Sequence, residues 1–319
     1  MAGGSALRDK LVVVIGGSGF VGAHLAQELL SRGARLRLAS RHPERAFRIR
    51  ALANLGQVQF ARCDVTDTQS LARVLQGADA VVNLVGAFSG DLDALQGRGA
   101  GRVAAQALTA GAGAFVHVSA IGADPESRSG YAHSKGVGEA AVRAAFPGAT
   151  IVRPSVLFGE DDGFLNLFAG LIARLPALPV FGPKAQLQPL FVDDAAEAIA
   201  NALADPAHHG GKIYEIGGPE VITMGEINHR IAAAQGRERM FMNVPDTVSG
   251  LFAKLTGWLP AAPLSSDQWM MLQAGNVAAG GTKDIAALGV TPRPLSLFLD
   301  RWMTRYRTHG RFAGRAPAA

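Results

Sequence analysis

Residues 11–22, LVVVIGGSGFVG, constrain this chain more than any other stretch. The uninterrupted apolar run at residues 11–15 suits a strand covered on both faces, as strands of parallel sheets are. Glycines follow at once, at positions 16, 17, 19 and 22. Val21, Leu25, Leu29 and Leu30 then recur at helical spacing until Gly33 ends the pattern. The order is strand, glycine turn, helix.

Glycines let such a turn be tight and let backbone amides approach a pyrophosphate, while the positive end of the helix dipole faces the same anion. Gly16, Gly17, Ser18, Gly19, Phe20, Val21 and Gly22 are therefore candidate dinucleotide-binding residues. Their spacing is G-x-x-G-x-x-G, and the alternative is a turn that only packs against its helix.

Composition narrows the setting. With 319 residues, 48% of them hydrophobic, the chain fills one large or two small domains. A single cysteine, Cys63, rules out an internal disulfide and a cysteine-built metal site, and its flank VQFARCDV reads as the end of a buried strand with an inert thiol. The formal charge is +5, and Arg301, Arg305, Arg307, Arg311 and Arg315 account for all of it, so residues 1–300 sum to zero. A basic tail of this kind suits an acidic surface or serves solubility, but no basic patch interleaved with aromatics supports nucleic-acid recognition. The first ten residues are too short and polar for a secretory signal, and no apolar run reaches the ~20 residues needed to cross a bilayer. The expected location is cytoplasmic, or peripheral on the cytoplasmic face of the inner membrane.

Further strands are expected at residues 35–39, 57–61, 80–85 and 115–118. After the second, an acid would suit the ribose 2′-hydroxyl of NAD and an arginine the 2′-phosphate of NADP. Arg41 stands there, with Arg45 beyond, which favours NADP(H) unless both are merely solvated. After the third, Asp64 and the Val65 amide either read the adenine edge or belong to the helix start at residues 68–76, where Asp67 is the better cap. After the fourth, Leu84, Val85 and Gly86 lie at the carboxyl edge, and a long helix is expected over residues 91–110. The fifth delivers Ser119, followed by Tyr131 and, one helical turn on, Lys135.

Together these resemble the short-chain dehydrogenase/reductase superfamily. The runs Arg153-Pro154-Ser155-Val156-Leu157-Phe158-Gly159 and Phe191-Val192-Asp193-Asp194-Ala195-Ala196 are similar to its extended, epimerase/dehydratase-like branch. VNLVGAF, FVHVSAIGADP, AVRAAFPGATIVRPSVLFG and YEIGGPEVITM are similar to a bacterial group related to the nucleotide-binding accessory subunit of respiratory complex I. The resemblance implies an α/β fold, a Rossmann-type doubly wound parallel sheet with a smaller C-terminal region for substrate or docking. The implied dinucleotide-binding domain is 10–160, to which 188–204 and 213–216 return; 161–187 and 218–306 form the smaller region and 307–319 a disordered basic tail.

It also implies roles. Lys135 holds the nicotinamide ribose, Tyr131 exchanges a proton with substrate and Ser119 hydrogen-bonds the substrate oxygen, while Pro154, Ser155 and Val156 contact the cofactor. Spacing of four sets Tyr131 and Lys135 on one helix face, where the ammonium is expected to lower the phenol's pKa. Gln96 stands where many relatives carry asparagine, which weakens a proton relay through that helix; His133 is expected to point away. No residues suggest a metal. In the accessory subunit the cofactor is structural or regulatory, so three functions stand: a complex I-associated NADP(H)-binding protein, a working oxidoreductase or epimerase on an apolar carbonyl or hydroxyl compound, or a sensor of redox state that binds NADP(H) and changes partners.

Two segments bear on that choice. GFLNLFAGLIARLPALPVFG carries Phe164, Leu165, Leu167, Phe168, Leu171 and Ile172 in helical steps, which suits an apolar ligand, a partner or a helix closing the small domain's core. Residues 246–258, with Val248, Leu251, Phe252, Leu255 and Trp258, read as an amphipathic helix for a membrane interface or for packing in the small domain.

Overall fold

The computed structural model describes residues 6–256, 265–279, 283–308 and 310. In chain order the elements are β1 (Leu11–Ile15), α1 (Phe20–Ser31), β2 (Arg35–Ser40), a 3₁₀ helix (Pro43–Leu52), β3 (Val58–Arg62), α2 (Thr68–Leu75), β4 (Ala80–Asn83), a π-helical turn (Asp93–Gly97), α3 (Arg98–Thr109), β5 (Ala114–Val118), α4 (Gly130–Ala145) and β6 (Thr150–Pro154). There follow β7 (Leu157–Phe158), α5 (Phe164–Arg174), β8 (Ala177–Phe181), β9 (Gln186–Leu187), β10 (Leu190–Phe191), α6 (Val192–Ala204), α7 (Pro206–His209) and β11 (Ile213–Ile216). The chain then runs through β12 (Ile222–Thr223), α8 (Met224–Ala234), β13 (Met240–Val244), α9 (Asp246–Thr256), α10 (Ser266–Ala274) and α11 (Ser296–Met303).

These elements cluster into two compact units, residues 1–154, 192–216 and 278–291 in the first and residues 155–191, 217–277 and 292–319 in the second. In the first, a seven-stranded sheet runs β11-β6-β5-β4-β1-β2-β3. Every pairing in it is parallel, as a doubly wound α/β fold requires. Val12, Val13 and Val14 are wholly buried because helices cover both faces: α1 and α6 pack on one, and α2, α3 and α4 close the other over Val13, Val81, Phe115 and Ile151. β1 is flanked by β2 and β4, so the strand order reverses there and loops leave both strands at the same carboxyl edge.

The helix expected over residues 91–110 is interrupted. Its first turn, Asp93–Gly97, is π-helical, and Gly138 of α4 fits against it only because it has no Cβ, which would lie 2.1 Å from the Gln96 carbonyl oxygen.

The second unit is built from two-stranded pieces, β7 with β10, β9 with β12 and β8 with β13, together with the helices. α5 buries Leu165, Ala169 and Ile172, one helical stripe, and packs on α8, which buries Ile227 and Ile231. Phe158, Phe191, Phe298 and Trp302 form an aromatic cluster, with the Arg293 guanidinium 4.5 Å from the Phe191 ring centre. α9 buries Ser249 and Ala253 and stacks Phe252 on Phe181, while Val248, Leu251 and Leu255 face outward. Trp258, and Arg311 and Arg315 of the tail, lie outside the described residues. Among those described, no helix is long and apolar enough to cross a membrane.

Candidate functional site

The glycine turn is fixed by close approaches. Gly16 has φ +83°, and a Cβ on it would meet the Leu84 carbonyl carbon at 3.2 Å and the Val85 amide at 3.3 Å. A Cβ on Gly22 would lie 2.6 Å from the Gly17 carbonyl oxygen, so α1 starts hard against the turn. Gly19 is the N-cap and no side chain caps it; the Ala23 amide donates to the Gly19 carbonyl at 3.1 Å, and the amides of residues 20–22 precede that first helical bond. Leu84, Val85 and Gly86 thus border the turn, and the positive end of α1 opens at the sheet's carboxyl edge.

At the ends of β2 and β3 the surroundings are equally built. Ser40 Oγ is buried without a partner, next to exposed Arg41. Asp64 Oδ1 accepts from the Thr66 amide at 2.9 Å and its hydroxyl at 2.7 Å, and these bonds, helped by Arg41 and Arg102, hold its carboxyl below the usual range. The cap of α2 is Asp67, which accepts from the Gln69 amide. Arg102 of α3 donates to the Val65 carbonyl at 3.0 Å and so fixes the turn from outside the sheet. Cys63 beside it is buried, its thiol pushed up to about 11 by desolvation, and is inert.

Lys135 is held across the ends of β4 and β5, with Ser119 directly following one of its partners and Tyr131 one turn before it on α4. Lys135 Nζ donates to the Val85 and Val118 carbonyls, each at 3.1 Å, where the two strands end side by side. It is 2% exposed, and desolvation brings it down to about 8 against the opposing pull of Glu139. Ser119 Oγ is buried with no partner, the second such hydroxyl along this edge. The Tyr131 ring stacks on Phe88, 4.7 Å apart at 15°, with Lys135 Nζ 6.0 Å from its centre.

The expected lowering of the phenol's pKa is not found. Burial pushes Tyr131 up to about 12, because its surroundings are apolar on the Phe88 side and the ammonium is turned to carbonyls. His133 is exposed as expected, its Nδ1 2.5 Å from the Pro125 carbonyl oxygen. Gln96 is fully buried: its Oε1 accepts from the Ala87 amide at 2.9 Å, and its Nε2 donates to Ser134 Oγ at 2.7 Å. Ser134 donates on to the Tyr131 carbonyl, so Gln96 ties the Phe88 loop to the tyrosine's helix and offers no relay to Lys135.

Three features escaped the sequence. Phe88, 68% exposed, sits in a loop whose composition carries no signal. His117 and Asn83, register partners in β5 and β4, are wholly buried with Asn83 Nδ2 3.1 Å from His117 Nδ1; burial brings the imidazole down to about 3, and its Nε2 has no partner. Arg153 bridges two buried carboxylates, bidentate to Glu139 at 2.7 and 2.8 Å and to Glu215 at 3.1 Å, while Glu215 also accepts from the Ala279 amide. A charged residue in TIVRP and an acid four residues after Lys135 were the available clues.

Pro154 ends β6, its carbonyl taking the Ile121 amide in the first unit. Ser155 and Val156 belong to the second, where their donors are already used: the serine hydroxyl and the valine amide both reach Asn276 Oδ1, at 2.7 and 2.6 Å.

The glycine cradle, the uncapped helix and the orphaned hydroxyls of Ser40 and Ser119 fit a nicotinamide dinucleotide running along the carboxyl edge of the first unit. Among the described residues, no cluster of His, Cys, Asp and Glu could hold a metal.

The sequence profile of the NAD dependent epimerase/dehydratase family matches residues 12–217. Mouse "NADH dehydrogenase [ubiquinone] 1 alpha subcomplex subunit 9, mitochondrial" is 30% identical over 315 residues, covering 96% of this chain and 83% of that one. The Dictyostelium discoideum protein of the same name is matched over 61% of its length. The ceramide reductase of Caulobacter vibrioides is 32% identical over 243 residues, 74% of each chain. Among solved structures, the dTDP-glucose 4,6-dehydratase DesIV of Streptomyces venezuelae superposes with a TM-score of 0.67 at 21% identity, over 93% of this chain and 96% of that one, a likeness of fold.

Proposed function

The chain belongs to the NAD dependent epimerase/dehydratase family, and we propose that it binds NADP(H) in preference to NAD(H) and serves as an accessory or assembly-type component of respiratory complex I. In this reading the cofactor is mainly structural or redox-sensing. Gly16 to Gly22 would take the pyrophosphate, Arg41 the 2′-phosphate, Asp64 and Val65 the adenine edge, and Ser119, Tyr131 and Lys135 the nicotinamide end. A bound nicotinamide supplies hydride chemistry.

The observation that carries the reading is the state of Tyr131. Its ring is stacked by Phe88, and its phenol is pushed up to about 12 by burial where a catalytic base would need it lowered by Lys135. Lys135, held by two carbonyls, orients rather than activates. The outward stripe Val248, Leu251 and Leu255 on α9 supports docking to a larger partner, and the mouse complex I subunit, similar over 96% of the chain, supports the choice of partner.

The test is to recover the protein from gently lysed cells, identify and redox-score the nucleotide released on denaturation, and identify its companions. NADP(H) together with complex I subunits is expected. Unaccompanied protein carrying only NAD(H) would refute the proposal.

One observation favours a second reading, an oxidoreductase acting on an apolar carbonyl compound. Ser119 Oγ is buried without a partner, next in the chain to the Val118 carbonyl that holds Lys135, and the Tyr131 phenol is protonated, as the acid in carbonyl reduction must be. The similar ceramide reductase supports an apolar substrate. Tyr131→Phe should then abolish reduction and leave cofactor bound; a cellular phenotype that survives the change would exclude this reading.

A further inference from the structure

The connection between β2 and β3 is unlike the rest of the first unit. Residues 43–52 form a 3₁₀ helix of ten residues, whereas such helices seldom exceed one turn. Its period of three sorts residues 45–50 into three edges, and the buried one opens to solvent at the last residue, Leu52. Ala46 and Ile49, each 3% exposed, form the buried edge; Arg45 and Arg48 share a second; Phe47 and Arg50 share the third. Phe47 is 48% exposed and meets Phe60 of β3 edge-on at 5.0 Å, and the Arg50 guanidinium lies 5.3 Å from the Phe47 ring and 5.5 Å from that of Phe60.

Two leucines then face solvent. Leu52 is 55% exposed and Leu55 fully so, beside Gly56, whose φ of +76° and open surroundings mark a protruding turn. Over residues 41–56 four arginines stand against one acid, Glu44, a net charge of +3 in a chain whose first 300 residues sum to zero.

We propose that residues 43–56 are a membrane-contact element, in which Arg45, Arg48 and Arg50 meet anionic phospholipid headgroups while Phe47, Leu52 and Leu55 enter the acyl boundary. A rise of about 2 Å per residue puts Arg45 and Arg48 about 6 Å apart along the helix, near enough to engage neighbouring headgroups. A basic segment bearing exposed aromatic and aliphatic side chains is the composition that holds an element in the interfacial plane. Protruding leucines on a protein partner would each need a matching pocket, whereas the acyl boundary accepts both. The charge selects an anionic surface over a neutral one.

This inference does not rest on the cofactor reading: Arg41, assigned there to the nucleotide, is left untouched, and although Arg45 is read with it, vesicle binding is measured without nucleotide. The experiment is sedimentation of the full chain with vesicles of phosphatidylcholine alone and of phosphatidylcholine with phosphatidylglycerol, in low salt. The wild type should pellet with the anionic vesicles and remain largely free with the neutral ones.

Arg45→Gln with Arg48→Gln should weaken partitioning about thirtyfold, and Leu52→Ser with Leu55→Ser at least about tenfold. Circular dichroism and melting curves check that both double variants stay folded, as substitutions at exposed positions should. No preference for anionic vesicles, or binding that survives the arginine pair, would overturn the proposal by assigning attraction to the C-terminal arginines. Loss with the arginine pair but not the leucine pair would also overturn it, in favour of an acidic protein surface.

Discussion

In the first unit, no residue of β1 is more than 8% exposed and Val12 to Val14 are wholly buried. In the second, α9 leaves Val248, Leu251 and Leu255 at 51, 59 and 64%, and β13 leaves Met240 and Met242 at 67 and 49%. Along its carboxyl edge the first unit's unmet needs are polar and internal: orphaned hydroxyls at Ser40 and Ser119, a lysine held by carbonyls, an uncapped helix. The second also buries polar atoms without partners, at Asn228, Gln235 and Arg237, but the outward stripe of α9 and the methionines of β13 are apolar and external. A small polar molecule answers the former and a large surface the latter, so each unit can be broken by its own kind of substitution.

The largest effect is expected at Arg153. Replacing it by leucine strips the bridge from Glu139 and Glu215, 5 and 6% exposed, and leaves two buried carboxylates facing each other. Removing one partner of a buried pair typically costs about 3–5 kcal/mol. Denaturant unfolding at neutral pH should show a loss of that size; a loss under about 1 kcal/mol would mean the triad is well hydrated.

Next in size is a pH effect at Lys135. Folded, its ammonium titrates at about 8 rather than 10.5, so between those values the unfolded chain binds a proton that the folded one releases. Stability should therefore rise as pH goes from 8 to 10.5, by about 3 kcal/mol from this group. Tyr131 acts oppositely: folded at about 12 rather than 10, it contributes stability that is lost as pH rises beyond 10. Thermal melts from pH 7.5 to 10 should climb in the wild type and flatten in Lys135→Met. Equal slopes would contradict the desolvated ammonium.

Gly22→Ala probes the cradle itself. Its Cβ would lie 2.6 Å from the Gly17 carbonyl oxygen, so α1 must back away from the turn. Overpacking of this kind costs about 1–3 kcal/mol. Calorimetry with NADPH should show affinity falling at least tenfold, about 1.4 kcal/mol, whereas Gly56→Ala, in open surroundings far along the chain, should leave affinity unchanged.

Much of this was legible in the sequence because it depends on local pattern. The buried run at residues 11–15, the glycine turn, the inert Cys63, the cap at Asp67 and the outward His133 follow from spacing and neighbours. What escaped depends on distant contacts. Spacing of four set Lys135 and Tyr131 on one face, but it could not show that the ammonium turns to the Val85 and Val118 carbonyls and that Phe88 covers the phenol. The π-helical turn at Asp93–Gly97 and the partners of Arg153 likewise come from other elements, and an apolar stripe such as that of α9 looks the same in sequence whether it faces the core or solvent.

That stripe is where the smallest stability effect should accompany the largest change in association. Leu251→Ser with Leu255→Ser removes apolar surface that the folded chain leaves in water, so unfolding free energy should move by no more than about 0.5 kcal/mol. Ser249 and Ala253, on the buried side of the same helix, are untouched, and α9 keeps its seat on Phe181 through Phe252. If the outward stripe meets a partner, the double variant should lose the companions recovered with the wild type while binding NADPH as before. A variant that instead destabilises by several kcal/mol would place the stripe against the chain itself and erase the contrast between α9 and the buried β1.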